Sequence, residues 1–166
     1  MQTILNLTQV VSMDSFTELA TELNPLLASE GVELHFEGYI ETWKAYLSCN
    51  ETLLDEMYVL MKETLAWADY FSEVLAWMNW RYLTEENRET YFKGHYERTP
   101  VTHKDFKKIQ SCYEESVFLK KKIKLFVKHL ETQMKAFYRA YYQLRELYWI
   151  QIEKTTQQMW VEGKEN

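Results

Sequence analysis

Residues 102–160 read THKDFKKIQSCYEESVFLKKKIKLFVKHLETQMKAFYRAYYQLRELYWIQIEKTTQQMW and contain neither glycine nor proline. A continuous helix of this length would extend roughly 85 Å at 1.5 Å per residue. Its apolar residues recur in alternating steps of four and three, the heptad spacing of a helix that packs along a partner helix. A seam this long needs an equally long helix to cover it, from the same chain or from a second copy. The positions are Leu119, Ile123, Phe126, Leu130, Gln133, Phe137, Ala140, Leu144 and Leu147.

The composition of the whole chain also favours helices. Its 166 residues include only 4 Gly and 2 Pro, against 6 Trp, 12 Tyr and 8 Phe. A protein built from short strands needs more frequent turn residues than this. The fold prediction is all-α, a long antiparallel helical hairpin or helical bundle in one domain, with a short N-terminal helix packed on it.

A second long apolar pattern supplies the partner helix. Residues 52–82 carry apolar side chains on two neighbouring stripes, which predicts a helix covered on two sides. Gly94 and Pro100 interrupt the chain before the last helix, while Cys49-Asn50-Glu51 either breaks the second helical region or lies within it. The predicted segments are a short helix at about 14–30, a helical arm at about 39–92, a connection at 83–102, a long helix at about 102–160 and a disordered tail at 161–166.

The net charge of −6 is unevenly distributed. Residues 1–92 hold 16 acids against 4 Lys and Arg, whereas residues 93–145 hold 13 Lys and Arg against 5 acids. Such asymmetry indicates nucleic acid or an oppositely charged partner. The alternative is that the acidic half packs beside the basic half and neutralises it.

The N-terminus lacks a basic segment followed by an apolar run, and no segment approaches 18 uncharged apolar residues. We therefore predict a cytoplasmic protein that does not enter a membrane. In that compartment Cys49 and Cys112 are expected to be free thiols.

Chemistry-bearing motifs are scarce. The four histidines form no H-E-x-x-H or Glu-x-x-His pattern, and the four glycines form no phosphate-binding loop. Glu85 and Glu89 are paired carboxylates, but a solvated helical face explains them. We predict no catalytic residue, no metal site and no cofactor, and hence a protein that is not an enzyme.

The first functional interpretation is a protein–protein interaction protein of adaptor or small-inhibitor type. An acidic helical face with aromatic anchors can occupy a basic groove that normally holds nucleic acid, as small phage-type inhibitors do, and aromatic residues concentrate binding energy. A solvated face over an ordinary core is the alternative explanation. The candidate interface residues are Asp55, Glu56, Glu63, Asp69, Glu73, Trp77 and Trp80.

The second interpretation is binding of single-stranded nucleic acid. Basic residues run along the last helix and the segment before it, and aromatic residues are interleaved with them. Cations neutralise phosphates, and aromatic rings stack on bases. The candidates are Lys93, Arg98, Lys104, Lys107, Lys108, Lys120, Lys121, Lys124 and Lys128.

Residues 82–149 also carry a familiar order of features: Tyr91-Phe92-Lys93-Gly94, then Pro100, then His103-Lys104-Asp105-Phe106-Lys107-Lys108, and a long helix to Trp149. This layout resembles that of the recombination mediators of T4-type phages. The resemblance implies a helical oligomer that binds single-stranded DNA through the loop and the lysines and helps to load a recombinase. The acidic N-terminal half departs from that layout.

The aromatic residues exceed what one hairpin can bury. The last helix has a flank of Tyr138, Tyr141, Tyr142, Tyr148 and Trp149. Exposed aromatic surface of this size usually marks a partner, often a second copy. We therefore expect a homo-oligomer, a dimer or higher, in addition to a protein partner of unknown identity.

Overall fold

The computed structural model describes residues 18–25, 36, 38–50 and 53–162. Residues 18–25 form helix α1, and three further helices follow: α2 over Tyr39–Ser48, α3 over Leu54–Arg98 and α4 over Phe106–Glu162. The all-α prediction is confirmed, since every regular element in these ranges is a helix. The expected outer parts of the N-terminal helix, 14–17 and 26–30, and the expected tail at 163–166 lie outside the described residues.

Two predicted boundaries differ from the structure. The connection between the long helices is residues 99–105 and does not begin at 83, because α3 continues through Gly94 to Arg98. A single glycine weakens a helix by about 1 kcal/mol relative to alanine but does not end it. Pro100 does end it, since proline disfavours helical geometry in the residue before it. The second difference concerns α4, which begins at Phe106 and not at 102, and which extends to Glu162, beyond the predicted end at 160.

The helical arm consists of two helices. Helix α2 begins after Gly38, whose φ of 93° lies in the left-handed region that suits glycine. The Gly38 carbonyl accepts hydrogen bonds from the backbone N–H of Thr42 at 3.0 Å and from its hydroxyl at 3.2 Å. The helix ends at Ser48, and α3 starts at Leu54.

Contacts between residues divide the chain into two compact units. Unit 1 comprises Met1–Leu34 and Glu73–Glu131, and unit 2 comprises His35–Ser72 and Thr132–Asn166. Each unit contains a segment of α3 and a segment of α4. The prediction of a single domain therefore remains a prediction.

In unit 1, the segments of α3 and α4 pack in antiparallel fashion. Tyr96 near the end of α3 contacts Phe106 at the start of α4, with ring centroids 5.4 Å apart, and Arg88 pairs with Glu115 further along α4. The core of unit 1 includes Met78, Ile123 and Phe126, none of which is exposed. Helix α1 buries Ala20 and Leu23, and its Glu22 forms an ion pair with Lys122 of α4.

In unit 2, aromatic side chains from all three helical segments form one cluster. Phe137 of α4 lies 4.5 Å from Trp43 of α2 and 5.7 Å from Phe71 of α3, measured between ring centroids. Tyr39 contacts Phe71 edge-on at 5.9 Å. The indole N–H of Trp67 donates to the Thr42 hydroxyl at 3.1 Å. This cluster explains why the chain is rich in aromatic residues on the two predicted stripes of α3.

Candidate interaction surfaces

The beginning of α3 in unit 2 presents acidic and apolar side chains together. Asp55, Glu56 and Glu63 are all exposed, as the interface hypothesis requires. Beside them, Leu53, Tyr58 and Val59 are 45%, 42% and 55% exposed. We call the surface formed by Leu53, Asp55, Glu56, Tyr58, Val59 and Glu63 the acidic–apolar surface.

Two contacts hold Tyr58 in a defined position at the edge of this surface. Its ring lies 6.0 Å from that of Tyr148 on α4, measured between centroids. The Lys62 ammonium lies 4.3 Å from the centre of the Tyr58 ring. A cation over an aromatic ring is worth about 0.5–1 kcal/mol at an exposed site. Tyr58 is therefore partly ordered by its own unit while its remaining surface faces solvent.

Asp69 also belongs to the predicted acidic interface, but it has an internal role. Its carboxylate accepts a hydrogen bond from the Tyr138 hydroxyl of α4 at 2.8 Å. This hydrogen bond raises the pKa of Tyr138, because the proton it donates is held by the carboxylate. Asp69 is exposed, so it helps to join α3 to α4 while remaining accessible.

The remaining predicted interface residues belong to unit 1. Glu73 is exposed, Trp77 is half-buried and Trp80 is 57% exposed. Of the two tryptophans proposed as anchors, Trp80 is thus the one with most of its surface available. The predicted interface divides between the two units, and the acidic–apolar surface contains three of its five acids.

The end of α3 and the start of α4 form a basic region in unit 1. Residues 93–108 carry five Lys and Arg against Glu97 and Asp105. Tyr91 in the preceding turn is 62% exposed and its ring lies 4.5 Å from that of His95. All five basic side chains are exposed: Lys93, Arg98, Lys104, Lys107 and Lys108.

Further along α4 the lysines differ in their surroundings. Lys121, Lys124 and Lys128 are exposed. Lys120 is half-buried and forms an ion pair with Glu89 of α3, whose hydrogen bond raises the pKa of the lysine. Lys122 pairs with Glu22 of α1. Acids of the N-terminal half therefore neutralise at least Lys120 and Lys122 of the basic helix within unit 1.

Sequence reasoning placed Glu85 wrongly. It was expected on a solvated face, yet its side chain is 1% exposed. Its Oε1 accepts from Arg81 Nη2 at 2.7 Å, whereas Oε2 lies 3.7 Å from Arg88 Nη1, beyond hydrogen-bond distance. Arg88 also reaches Glu115 of α4 at 3.2 Å. The signal for this burial was spacing: Phe71, Met78 and Glu85 are seven residues apart, so Glu85 continues the buried seam of α3.

Among the described residues, no group of three or more His, Cys, Asp or Glu side chains is placed to hold a metal ion. Cys49 and Cys112 are both half-buried and are not joined by a disulfide bond. None of the described helices has the length and apolar character required to span a membrane.

Comparisons with known proteins add no relative. No protein-family model matches the chain, and searches of curated proteins and of solved structures find no match either. By its fold the chain is an all-α protein, and within each unit segments of its two long helices pack antiparallel.

Proposed function

We propose that the protein is a non-enzymatic interaction protein, an adaptor or small inhibitor, that binds a basic protein partner through the acidic–apolar surface of unit 2. The observation that carries this proposal is the exposure of Leu53, Tyr58 and Val59 directly beside three exposed acids. Apolar side chains provide the favourable free energy of association, and surrounding charges steer the encounter and select the partner.

The chemistry of the surface indicates what the partner presents. Asp55, Glu56 and Glu63 repel nucleic acid and attract Lys and Arg, so a basic protein surface with an apolar centre fits best. Proteins that handle nucleic acid carry such surfaces in their binding grooves. An inhibitor that occupies this groove would compete with nucleic acid for it.

Reversing the charge of this surface is expected to abolish partner capture. The variant Asp55→Lys/Glu56→Lys/Glu63→Lys changes the local charge by six and leaves the buried core untouched, because all three residues are exposed. We expect the partner retained by the immobilised wild-type protein to be lost at least tenfold in quantitative mass spectrometry of a pull-down from the source cell.

The matched control is Glu86→Lys/Glu97→Lys/Glu114→Lys, which makes the same charge change on exposed residues of unit 1. It should retain the partner. Equal retention by both variants, or equal loss from both, would remove the acidic–apolar surface from the interface. Circular dichroism of each variant establishes that the helices are intact.

A second candidate function is binding of single-stranded nucleic acid by unit 1. It is favoured by the five exposed Lys and Arg side chains within residues 93–108 and by the ring of Tyr91, which is 62% exposed. Such a combination provides phosphate contacts together with a stacking surface. It also agrees with the layout resemblance to the recombination mediators of T4-type phages.

This candidate predicts salt-dependent binding of a labelled single-stranded 30-mer. We expect Lys104→Glu/Lys107→Glu/Lys108→Glu to weaken the binding at least tenfold in fluorescence anisotropy at low salt, because these lysines are exposed and would contact phosphates. The control Lys135→Glu/Arg139→Glu alters two exposed basic side chains of unit 2 and should bind the oligonucleotide like the wild type. No binding by the wild type at low salt would eliminate this candidate and leave the protein-partner proposal in place.

A further inference from the structure

The face of α4 that points away from its buried seam is unusually aromatic in unit 2. Phe137, Ala140 and Leu144 form the buried face, with exposures of 0%, 2% and 2%. At 100° per residue, Ala140 lies about 180° around the helix from Trp149, and Leu144 about 140°. Trp149 is 55% exposed. It therefore lies on the side of α4 opposite these buried residues.

Two more aromatic residues share this face. Tyr142 is 58% exposed and Trp160 is 69% exposed, and both lie within about 20° of Trp149 around the helix. We call Tyr142, Trp149 and Trp160 the outer aromatic stripe, which extends about 27 Å along α4. The outward side of a surface helix is normally polar, so three large exposed rings in one line indicate a surface that binds something.

The charges on the stripe identify the occupant. Arg145 stands four residues before Trp149 and Glu153 stands four residues after it, each about 40° from it around the helix. Both are exposed, and neither forms an ion pair with another described residue. A partner surface of one sign would be attracted to one of them and repelled by the other. A surface whose own charges are arranged in the reverse order would satisfy both.

A second copy of the chain has that arrangement. When two identical helices cross antiparallel on a twofold axis at Trp149, Arg145 of each copy faces Glu153 of the other. The two Trp149 rings then meet on the axis. A parallel pairing would place Arg145 against Arg145 and Glu153 against Glu153, which is unfavourable.

We propose that the outer aromatic stripe is a homodimer interface in which two copies of α4 pair antiparallel about Trp149. This interface shares no residue with the acidic–apolar surface and does not depend on the protein-partner proposal. At their observed exposure the six rings bury on the order of 700 Å² in total, and flanking side chains bring the interface near 1,000 Å². An interface at this lower limit predicts a dimer with a dissociation constant on the order of micromolar.

A charge-swap series tests this pairing. Sedimentation equilibrium would measure the dimer dissociation constant of the wild type, Arg145→Glu, Glu153→Arg and the double variant that carries both changes. Each single variant places like charges opposite each other at two symmetry-related contacts, and we expect the dissociation constant to rise at least tenfold. The double variant restores opposite charges with the order reversed, and we expect it to dimerise within about threefold of the wild type.

Lys154→Glu is the matched control, because Lys154 is exposed and lies about 140° from Trp149 around the helix. It should leave the dissociation constant unchanged. Circular dichroism establishes that each variant is helical. Any of three outcomes would overturn the proposal. The wild-type protein is monomeric at about 100 μM, 100-fold above the expected dissociation constant; the single variants dimerise like the wild type; or the double variant dimerises as weakly as the single variants.

Discussion

Replacing Phe137 with alanine is expected to lower the free energy of unfolding by about 3–5 kcal/mol, measured by urea denaturation monitored with circular dichroism. The ring is fully buried and lies 4.5 Å from Trp43, 5.7 Å from Phe71 and 6.4 Å from Trp67, between centroids. Removing it leaves a cavity at the point where α2, α3 and α4 meet in unit 2. Large rigid neighbours cannot collapse fully into such a space, so the cost lies at the upper end for a core substitution.

The chain offers a matched control for this substitution. Phe118 is on the same helix but is 59% exposed, and its ring contacts the Lys122 ammonium at 4.7 Å. Phe118→Ala should cost no more than about 1 kcal/mol, the value of an exposed cation–π contact and a little buried surface. Similar losses for the two variants would contradict the central role assigned to Phe137 in the aromatic cluster.

Replacing Glu85 with alanine is the second change with a large expected effect. It removes the buried carboxylate that accepts from Arg81, whose side chain is 15% exposed, and it leaves that guanidinium without its anion. Breaking a buried ion pair costs about 3–5 kcal/mol, and the partial exposure of both arginines reduces the expected loss to about 2–3 kcal/mol. The measurement is again the free energy of unfolding from urea denaturation.

Two further variants separate charge from packing at this position. Glu86→Ala removes an exposed neighbouring acid and should change stability by less than about 0.5 kcal/mol. Glu85→Gln keeps the shape and one hydrogen-bond acceptor and should fall between the wild type and Glu85→Ala. If Glu85→Ala were as stable as Glu86→Ala, the ion pairs of the Glu85 carboxylate with the arginines would contribute nothing to the free energy of unfolding.

The seam of α4 was predictable because its pattern is long and regular. Eight of its nine predicted positions are buried, from Leu119 to Leu144, and Leu147 is half-buried. Gln133 was correctly included in the series although it is polar, since its position in the heptad outweighs its side chain. Periodicity identifies the buried positions because the same face of the helix is buried along its length, so apolar residues recur at a fixed spacing in the sequence.

The seam of α3 was predicted less well. The apolar steps of four and three through Met57, Met61, Leu65, Ala68, Phe71 and Met78 predict one buried face. Met61 and Leu65 are only half-buried, whereas Leu60 and Thr64 beside them are buried. A helix with apolar residues on two adjacent stripes does not indicate which stripe faces which neighbour. The choice depends on α2, whose docking through Trp43 and Tyr39 is a tertiary contact that periodicity does not contain.

The candidate surfaces were predictable by residue type but not by grouping. All five predicted interface acids are exposed. The internal role of Asp69 depends on its hydrogen bond with Tyr138, 69 positions away in the chain. The pairing of Lys120 with Glu89 depends in the same way on helix packing. On the aromatic flank, Tyr142 and Trp149 are exposed, whereas Tyr138, Tyr141 and Tyr148 are half-buried.

The most direct test of the proposed function is site-specific photo-crosslinking at Val59, which is 55% exposed in the middle of the acidic–apolar surface. The photoreactive residue p-benzoylphenylalanine would replace Val59 in one variant and exposed Glu97 of unit 1 in another. Both variants would be irradiated in lysate of the source cell. The proposal predicts a discrete adduct with one basic protein at position 59 and none at position 97. An adduct at 97 without one at 59, or no adduct at either position, would contradict it.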